Sequence, residues 1–123
     1  MEKKRILVVD DDNISRTLIK GFLKNEGNYI VDTVQDGYQC LSFMKYHHVD
    51  LIISDIEMDD INGLELSQAL LLMDDTANIP VILSSVRDRS EIRRKTRDFS
   101  NVKRVVQKPY NRDALLSDVS SLL

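Results

Sequence analysis

Three short apolar runs in this chain stop abruptly on charge, and that arrangement constrains the fold more than any other feature. Ile6-Leu7-Val8-Val9 runs into Asp10-Asp11-Asp12, Leu51-Ile52-Ile53-Ser54 into Asp55, and Val105-Val106-Gln107 into Lys108-Pro109. Longer stretches with helical spacing separate these runs, which argues for βα units around a parallel sheet. Two acidic strand ends and one lysine strand end then share a rim. In open α/β sheets the functional crevice lies outside the carboxyl ends of the strands. Carboxylates facing one ammonium there make a place to hold Mg²⁺ and a phosphoryl group.

At 123 residues, one domain spanning 1–123 is expected, long enough to bury a core. Hydrophobic content of 42% with 30% charge places the chain with globular rather than disordered sequences. Apolar runs are too short to span a bilayer, so no membrane association is expected. No charged segment followed by an apolar stretch opens the chain, so no signal peptide is expected. Cys40, the single cysteine, excludes an internal disulfide and fits a reducing cytoplasm. The net charge of −3 gives no overall pull toward nucleic acid. Residues 87–104 alone carry eight basic and three acidic side chains.

Five strands are predicted near 5–9, 30–34, 50–54, 80–84 and 103–107. The first and third are continuously apolar, as strands buried on both faces should be. Asp12 or Asn13 caps the first helix, with Ile14, Leu18, Phe22 and Leu23 at helical spacing. Gly27 suits the left-handed position after it. The second helix follows Asp36-Gly37 and carries Cys40, Leu41, Phe43 and Met44. The third follows Asn62-Gly63. Its run Ala69-Leu70-Leu71-Leu72-Met73 is apolar all round, so at least one of these residues is expected at the surface or in a contact. The fourth, near 88–99, has only Ile92 and Phe99 as anchors, with Thr96 between them, and is expected to be the least stable. The last runs from Asp113 to Leu123 with Leu115, Leu116, Val119 and Leu122 buried.

Mg²⁺ takes about six oxygens and usually one or two carboxylates. Asp11 and Asp55 can supply those two, Asp10 a coordinated water or a direct bond, and the Glu57 backbone carbonyl a further ligand. Crowded carboxylates also raise at least one pKa until a cation is present. Phosphoryl transfer needs an in-line nucleophile and positive charge around the equatorial oxygens. Asp55 is the candidate nucleophile, Lys108 a charge, and Ser85 a hydroxyl donor, with Ser84 as the alternative.

These residues, in order and at this spacing, resemble the response-regulator receiver domains of two-component signalling, chemotaxis receivers among them. The likeness runs from Ile6 to Leu123. It rests on Ile6–Asp12, Asp36-Gly37, Asp50–Met58, Asn62-Gly63, Ile79–Ser85 and Lys108-Pro109. The resemblance implies a flavodoxin-like, doubly wound (βα)5 fold: a five-stranded parallel sheet of order 2-1-3-4-5 with helices on both faces. It implies that Asp55 accepts a phosphoryl group from a histidine kinase or histidine phosphotransfer protein. Asp10, Asp11, Asp55 and the Glu57 carbonyl would hold Mg²⁺, with Mn²⁺ as a substitute. Ser85 and Lys108 would sense the phosphoryl group, and the Lys108-Pro109 bond would be cis. Such a domain is a cytoplasmic regulatory phosphoacceptor rather than an enzyme, although it supports its own phosphotransfer and autodephosphorylation. Its 86–123 face meets a downstream protein, an output domain or a second copy, with no direct nucleic-acid binding.

Several positions depart from the family pattern. Asp59 replaces a common proline, which loosens the loop after Asp55. Asn62 replaces an aspartate but still suits a cap. Val86 replaces alanine or glycine and narrows access to the pocket. Val105, in the switch region with Pro109, replaces the aromatic that swings inward on activation, which calls that relay into question. Ser100-Asn101-Val102 replaces the usual Gly-Ala, with Asn101 suited to a left-handed turn. Glu57 and Arg87 stand two residues after Asp55 and Ser85, where an ion pair across the mouth can screen water; as an exposed pair it is worth only about 0–1 kcal/mol.

Two other readings compete. Phosphohydrolases of the haloacid dehalogenase type use a strand-end Asp-x-Asp, which Asp10-Asp11-Asp12 satisfies. Asn13-Ile14 lacks their following threonine or valine, and no acidic pair ends the fourth strand. A receiver that binds partners without phosphorylation is the other, favoured by Val86, Asp59 and Val105. His47-His48 do not share a helix face and fit a solvated helix end. Cys40 fits a packing role. The basic 87–104 stretch reads as a solvated face, then as a docking surface for an acidic partner or second copy, and last as a DNA contact.

Overall fold

The computed structural model describes residues 3–123. Met1 and Glu2 of the expected 1–123 unit lie outside the described residues. Five strands alternate with five helices: β1 Lys4–Val9, α1 Asn13–Lys24, β2 Tyr29–Val34, α2 Gly37–Met44, β3 Leu51–Asp55, α3 Gly63–Leu71, β4 Val81–Ser85, α4 Arg89–Lys95, β5 Val102–Gln107 and α5 Arg112–Leu122. The strands form one parallel sheet of order β2-β1-β3-β4-β5. This is the predicted doubly wound α/β architecture.

Side chains alternate across a strand, so a central strand must supply both faces. Leu7, Val9 and Ile52 pack with Cys40, Leu66, Leu70 and Ile92 on the side of α2, α3 and α4. Ile6, Val8 and Ile53 pack with Ile19, Leu23, Leu115 and Val119 on the side of α1 and α5. Continuous apolar sequence in β1 and β3 is thus burial on two faces.

The helix starts are set locally. Asp12 caps α1 through a bond from the Ile14 N–H, which resolves the choice with Asn13. Asp36 caps α2. Asn62 and Glu65 exchange side-chain and backbone bonds in a capping box at α3. Gly27 takes the left-handed conformation expected after α1, with φ 75°. At the end of α3, Leu72 and Met73 are exposed, as the all-apolar run required.

Three sequence expectations are corrected. Ile14 does not belong to the buried stripe of α1, since it is 77% exposed, and Leu18 is exposed as well. Ile19 and Leu23 fill the core instead. At 3.6 residues per turn Ile14 lies roughly 140° around the helix from Ile19. The fourth helix stops at Lys95 rather than near 99. The Thr96 hydroxyl bonds back to the Ile92 carbonyl at 2.9 Å, and the chain turns with Phe99 N–H on the Thr96 carbonyl. Asn101 does not take a left-handed turn; among the described residues Asp60 is the non-glycine at positive φ. Asn101 is instead buried, donating from Nδ2 to the Ser67 carbonyl at 2.9 Å, a bond between α3 and the start of β5.

Candidate functional site

The ends of four strands meet at one place. β3 ends on Asp55 and β4 on Ser85, while Asp10 follows β1 and Lys108 follows β5. Asp55 pairs in register with Ser84, and Ser85 with Gln107. The Lys108 N–H donates to the Ser85 carbonyl at 2.8 Å, which extends the ladder by one residue. The Lys108-Pro109 peptide is cis.

The Lys108 ammonium lies 3.2 Å from Asp10 Oδ2 and 3.2 Å from Asp55 Oδ2. Asp10 Oδ1 accepts from the Asp12 N–H at 2.9 Å. Asp55 Oδ1 is buried with no partner. Asp11 is exposed and completes the acidic group: one carboxylate oxygen each from Asp10, Asp11 and Asp55 lies within 4.8 Å of the others. Three hard oxygen donors, one of them buried and unpaired, fit a divalent cation such as Mg²⁺. The site opens beside a cleft of about 460 Å³ lined by Asp11, Glu57, Met58, Asn62, Arg87 and Lys95, among others.

The electrostatics follow from this crowding. Burial pushes the Asp55 carboxyl up to about 6; the Asp10 charge adds to the shift and Lys108 opposes it. One like-charged neighbour thus has its pKa raised, as crowding predicts. For Lys108, burial acts to lower the pKa, but Tyr110, Asp55 and Asp10 outweigh it and hold the ammonium above its ordinary value. Both partners of the pair are largely shielded from water, so their attraction is poorly screened.

Ser85 is also at the site, 1% exposed, but its hydroxyl is already engaged. It donates to the Glu57 carboxylate, at 3.0 Å from Oε1 and 3.3 Å from Oε2. Its oxygen accepts from the Arg87 N–H at 3.0 Å. Arg87 Nε in turn lies 3.3 Å from Glu57 Oε1, so the predicted Glu57–Arg87 pair is formed. Val86 is 68% exposed and does not line the cleft beside the acidic cluster. Val105 is buried in the α2–α3–α4 layer, with no aromatic at that position.

Two contributors escaped the sequence reading. Arg16 donates to the Asp10 backbone carbonyl at 2.6 Å and to Asn13 Oδ1 at 3.1 Å, tying α1 to the acidic loop. Its signal was a cation one turn into the helix that follows the acidic run. Tyr110 donates its hydroxyl to the buried Ser84 Oγ at 2.8 Å, and burial pushes its phenol up to about 12. Ser84 therefore pairs with Tyr110, whereas the Ser85 hydroxyl is turned to Glu57 and Arg87 at the site. Tyr110→Phe is expected to cost about 1 kcal/mol, the net worth of one buried hydrogen bond, measured by urea unfolding. His47 and His48 sit apart from the site: His47 stacks on Phe43, and His48 bonds to Asp50.

Comparison with known proteins places the chain. Residues 6–120 match the family profile described as response regulator receiver domain. The CAI-1 autoinducer sensor kinase/phosphatase CqsS of Vibrio cholerae is 33% identical over 120 residues, covering 97% of this chain and 17% of that protein. The polar-differentiation response regulator DivK of Brucella abortus is 29% identical over 79 residues, covering 64% of this chain and 63% of that protein. This chain thus spans only a small part of the sensor kinase it matches. The response regulator TrrA of Thermotoga maritima, solved in complex with Mg²⁺ and BeF, is 33% identical, with a TM-score of 0.84 over 98% of this chain and 99% of that one. The chemotaxis response regulator CheY4 of Vibrio cholerae shares the fold, with a TM-score of 0.89 at 24% identity over 99% of this chain and 100% of that one. With sequence and fold in agreement over nearly its whole length, the protein belongs to the response regulator receiver domain family.

Proposed function

We propose that this protein is a phosphorylation switch of a two-component phosphorelay, working as one receiver unit over 1–123. Asp55 takes a phosphoryl group from a phosphohistidine on a histidine kinase or phosphotransfer protein. An Asp55 carboxylate oxygen attacks phosphorus, the P–N bond breaks, and the electron pair stays on the leaving imidazole nitrogen, which takes a proton from water. The observation that carries this reading is Asp55 itself. It is a buried carboxylate with one oxygen unpartnered and the other held by Lys108.

Mg²⁺, or Mn²⁺ in its place, would be held by Asp10, Asp11, Asp55 and the Glu57 carbonyl, and would supply positive charge to the phosphoryl oxygens. Lys108 supplies a second charge in a poorly hydrated site, where fixed charges are most effective. Ser85 donates to a phosphoryl oxygen. Glu57 and Arg87 stand at the mouth, where their pair slows attack by water. The small Val105 and the cis Pro109 belong to the region that responds. The 86–123 face then meets a downstream protein, an output domain or a second copy. Ligand preference for the phosphorylated arrangement sets how far that equilibrium moves. No described helix is long and apolar enough to cross a membrane.

Intact mass after incubation with Mg²⁺ and a small phosphodonor tests the proposal. One phosphoryl adduct is expected, absent from Asp55→Asn and absent when metal is chelated. No adduct from the donor or from any phosphorylated histidine kinase would sink this reading and leave partner binding without phosphorylation.

A further inference from the structure

We propose that the Glu57 side chain is a built-in competitor for the Ser85 hydroxyl. It holds the hydrogen bond that a phosphoryl oxygen on Asp55 must win, and Arg87 sets how firmly it holds. The inference rests on the phosphoacceptor reading of Asp55 and adds a residue that tunes occupancy of that same site.

A serine hydroxyl has one proton to donate. Here that proton is shared by the two oxygens of the Glu57 carboxylate. The Arg87 N–H occupies an acceptor position on the same Ser85 oxygen. That bond disfavours rotation of the hydroxyl away from Glu57. Ser85 is almost wholly buried, so water is a poor alternative acceptor for its proton. Glu57 differs: its side chain is part-exposed and can retreat to solvent if it loses Ser85. The exchange is therefore between two anionic acceptors, a carboxylate already present and a phosphoryl oxygen that arrives.

Hydrogen bonds to charged groups are stronger than neutral ones, so the resident bond has real cost to break. A phosphoryl group on Asp55 would also place new negative charge beside Glu57, and that repulsion opposes phosphorylation until Glu57 withdraws. Arg87 Nε holds Glu57 Oε1 at 3.3 Å and so favours the resident arrangement. Beyond it, Arg87 lies 4.0 Å from Glu91, which pairs with Lys95 at 3.2 Å. Release of Glu57 would thus be felt in α4, the short helix that carries Glu91 and Lys95.

Beryllofluoride, which mimics a phosphoryl group on a carboxylate, provides the probe, titrated into the intact protein with saturating Mg²⁺. Glu57→Ala is expected to bind it about tenfold more tightly than wild type, the size of one charge-assisted bond. Ser85→Ala should bind more weakly. The decisive variant is the double one: in a Ser85→Ala background, Glu57→Ala should gain only about threefold, the share left to charge repulsion once the contested proton is gone. A full tenfold gain in that background would overturn the proposal, since Glu57 would then act by charge alone. An unchanged affinity in the Glu57→Ala single variant would overturn it as well. Binding of beryllofluoride by wild type that is lost in Asp55→Asn keeps the phosphoacceptor reading intact in either case. No binding by wild type would overturn both. Mg²⁺ affinity, measured separately for each variant, is expected to change less than threefold; a larger gain matching that for beryllofluoride would place the effect at the metal and overturn the competitor.

Discussion

Gly63→Ala is expected to destabilise the protein by about 2–3 kcal/mol, the cost of forcing one carbon into a filled site. A Cβ at Gly63 would collide with the Asp55 carbonyl oxygen and sit 2.9 Å from Ile56 Cα. Both are backbone atoms at the end of a buried strand, and neither can swing aside. The Gly63 N–H also donates to the Ile56 carbonyl at 2.9 Å, so retreat of the helix would break that bond. Alanine gains up to about 1 kcal/mol of helix propensity, too little to offset the clash. Gly37→Ala is the contrast: its Cβ would meet side-chain rather than backbone atoms, Cγ1 and Cδ1 of Ile61, which a change of rotamer can move. The urea midpoint should fall sharply for Gly63→Ala and slightly for Gly37→Ala, with similar m-values. Adduct formation should slow in the first alone, because its clash is with Asp55. Equal midpoints for Gly63→Ala and wild type would show that the loop after β3 yields freely.

Asp55→Asn is expected to stabilise the metal-free protein by about 3 kcal/mol above pH 7. The Asp55 carboxyl is raised from 3.8 to about 6, chiefly by burial and next by Asp10. Each pKa unit is worth about 1.4 kcal/mol, and the side chain is well shielded, so little discount for screening applies. The sign follows from linkage. A carboxyl whose folded pKa lies above its unfolded value favours the folded state fully below about pH 4. That contribution is lost as pH rises through about 6. Asparagine carries no charge to protonate, so its advantage should be absent near pH 4, grow through pH 6 and level off above it. Lys108 keeps Asp10 as a partner in the variant. Urea unfolding in a chelator from pH 4 to 8 measures the difference. Added Mg²⁺ should shrink it, since a divalent cation relieves the same repulsion. Equal stabilities at pH 7.5 without metal would mean that the pocket stores no such strain.

Much of the fold and site was legible because it is written locally. An apolar run of four residues that stops on aspartate is a buried strand reaching a rim, wherever its neighbours lie. Asn62 suits a cap by residue type alone, and in the structure it caps α3, with Glu65 closing the box. Gly27 was assigned to a left-handed position that costs other residues most. The phase of α1 was not legible, because Ile14, Leu18, Ile19, Phe22 and Leu23 offer two overlapping apolar stripes. Docking on the sheet decided between them and left Ile14 in solvent. Asn101 was misread for a related reason. Asparagine suits a turn on its own, but a buried carbonyl from α3 gave its amide a better use.

The sequence by itself determined the order of elements, the acidic and basic strand ends, the caps and the family, since each depends on residues near one another in the chain. Only the tertiary structure decided who holds whom at the rim. Lys108 lies between Asp10 and Asp55, 98 and 53 positions away, and Ser85 gives its proton to Glu57 across 28. Contacts across such separations come from strand order and register, which are set by burial of both faces of the sheet at once. No local pattern encodes that condition, and the hydrogen bonds at the site are its consequence.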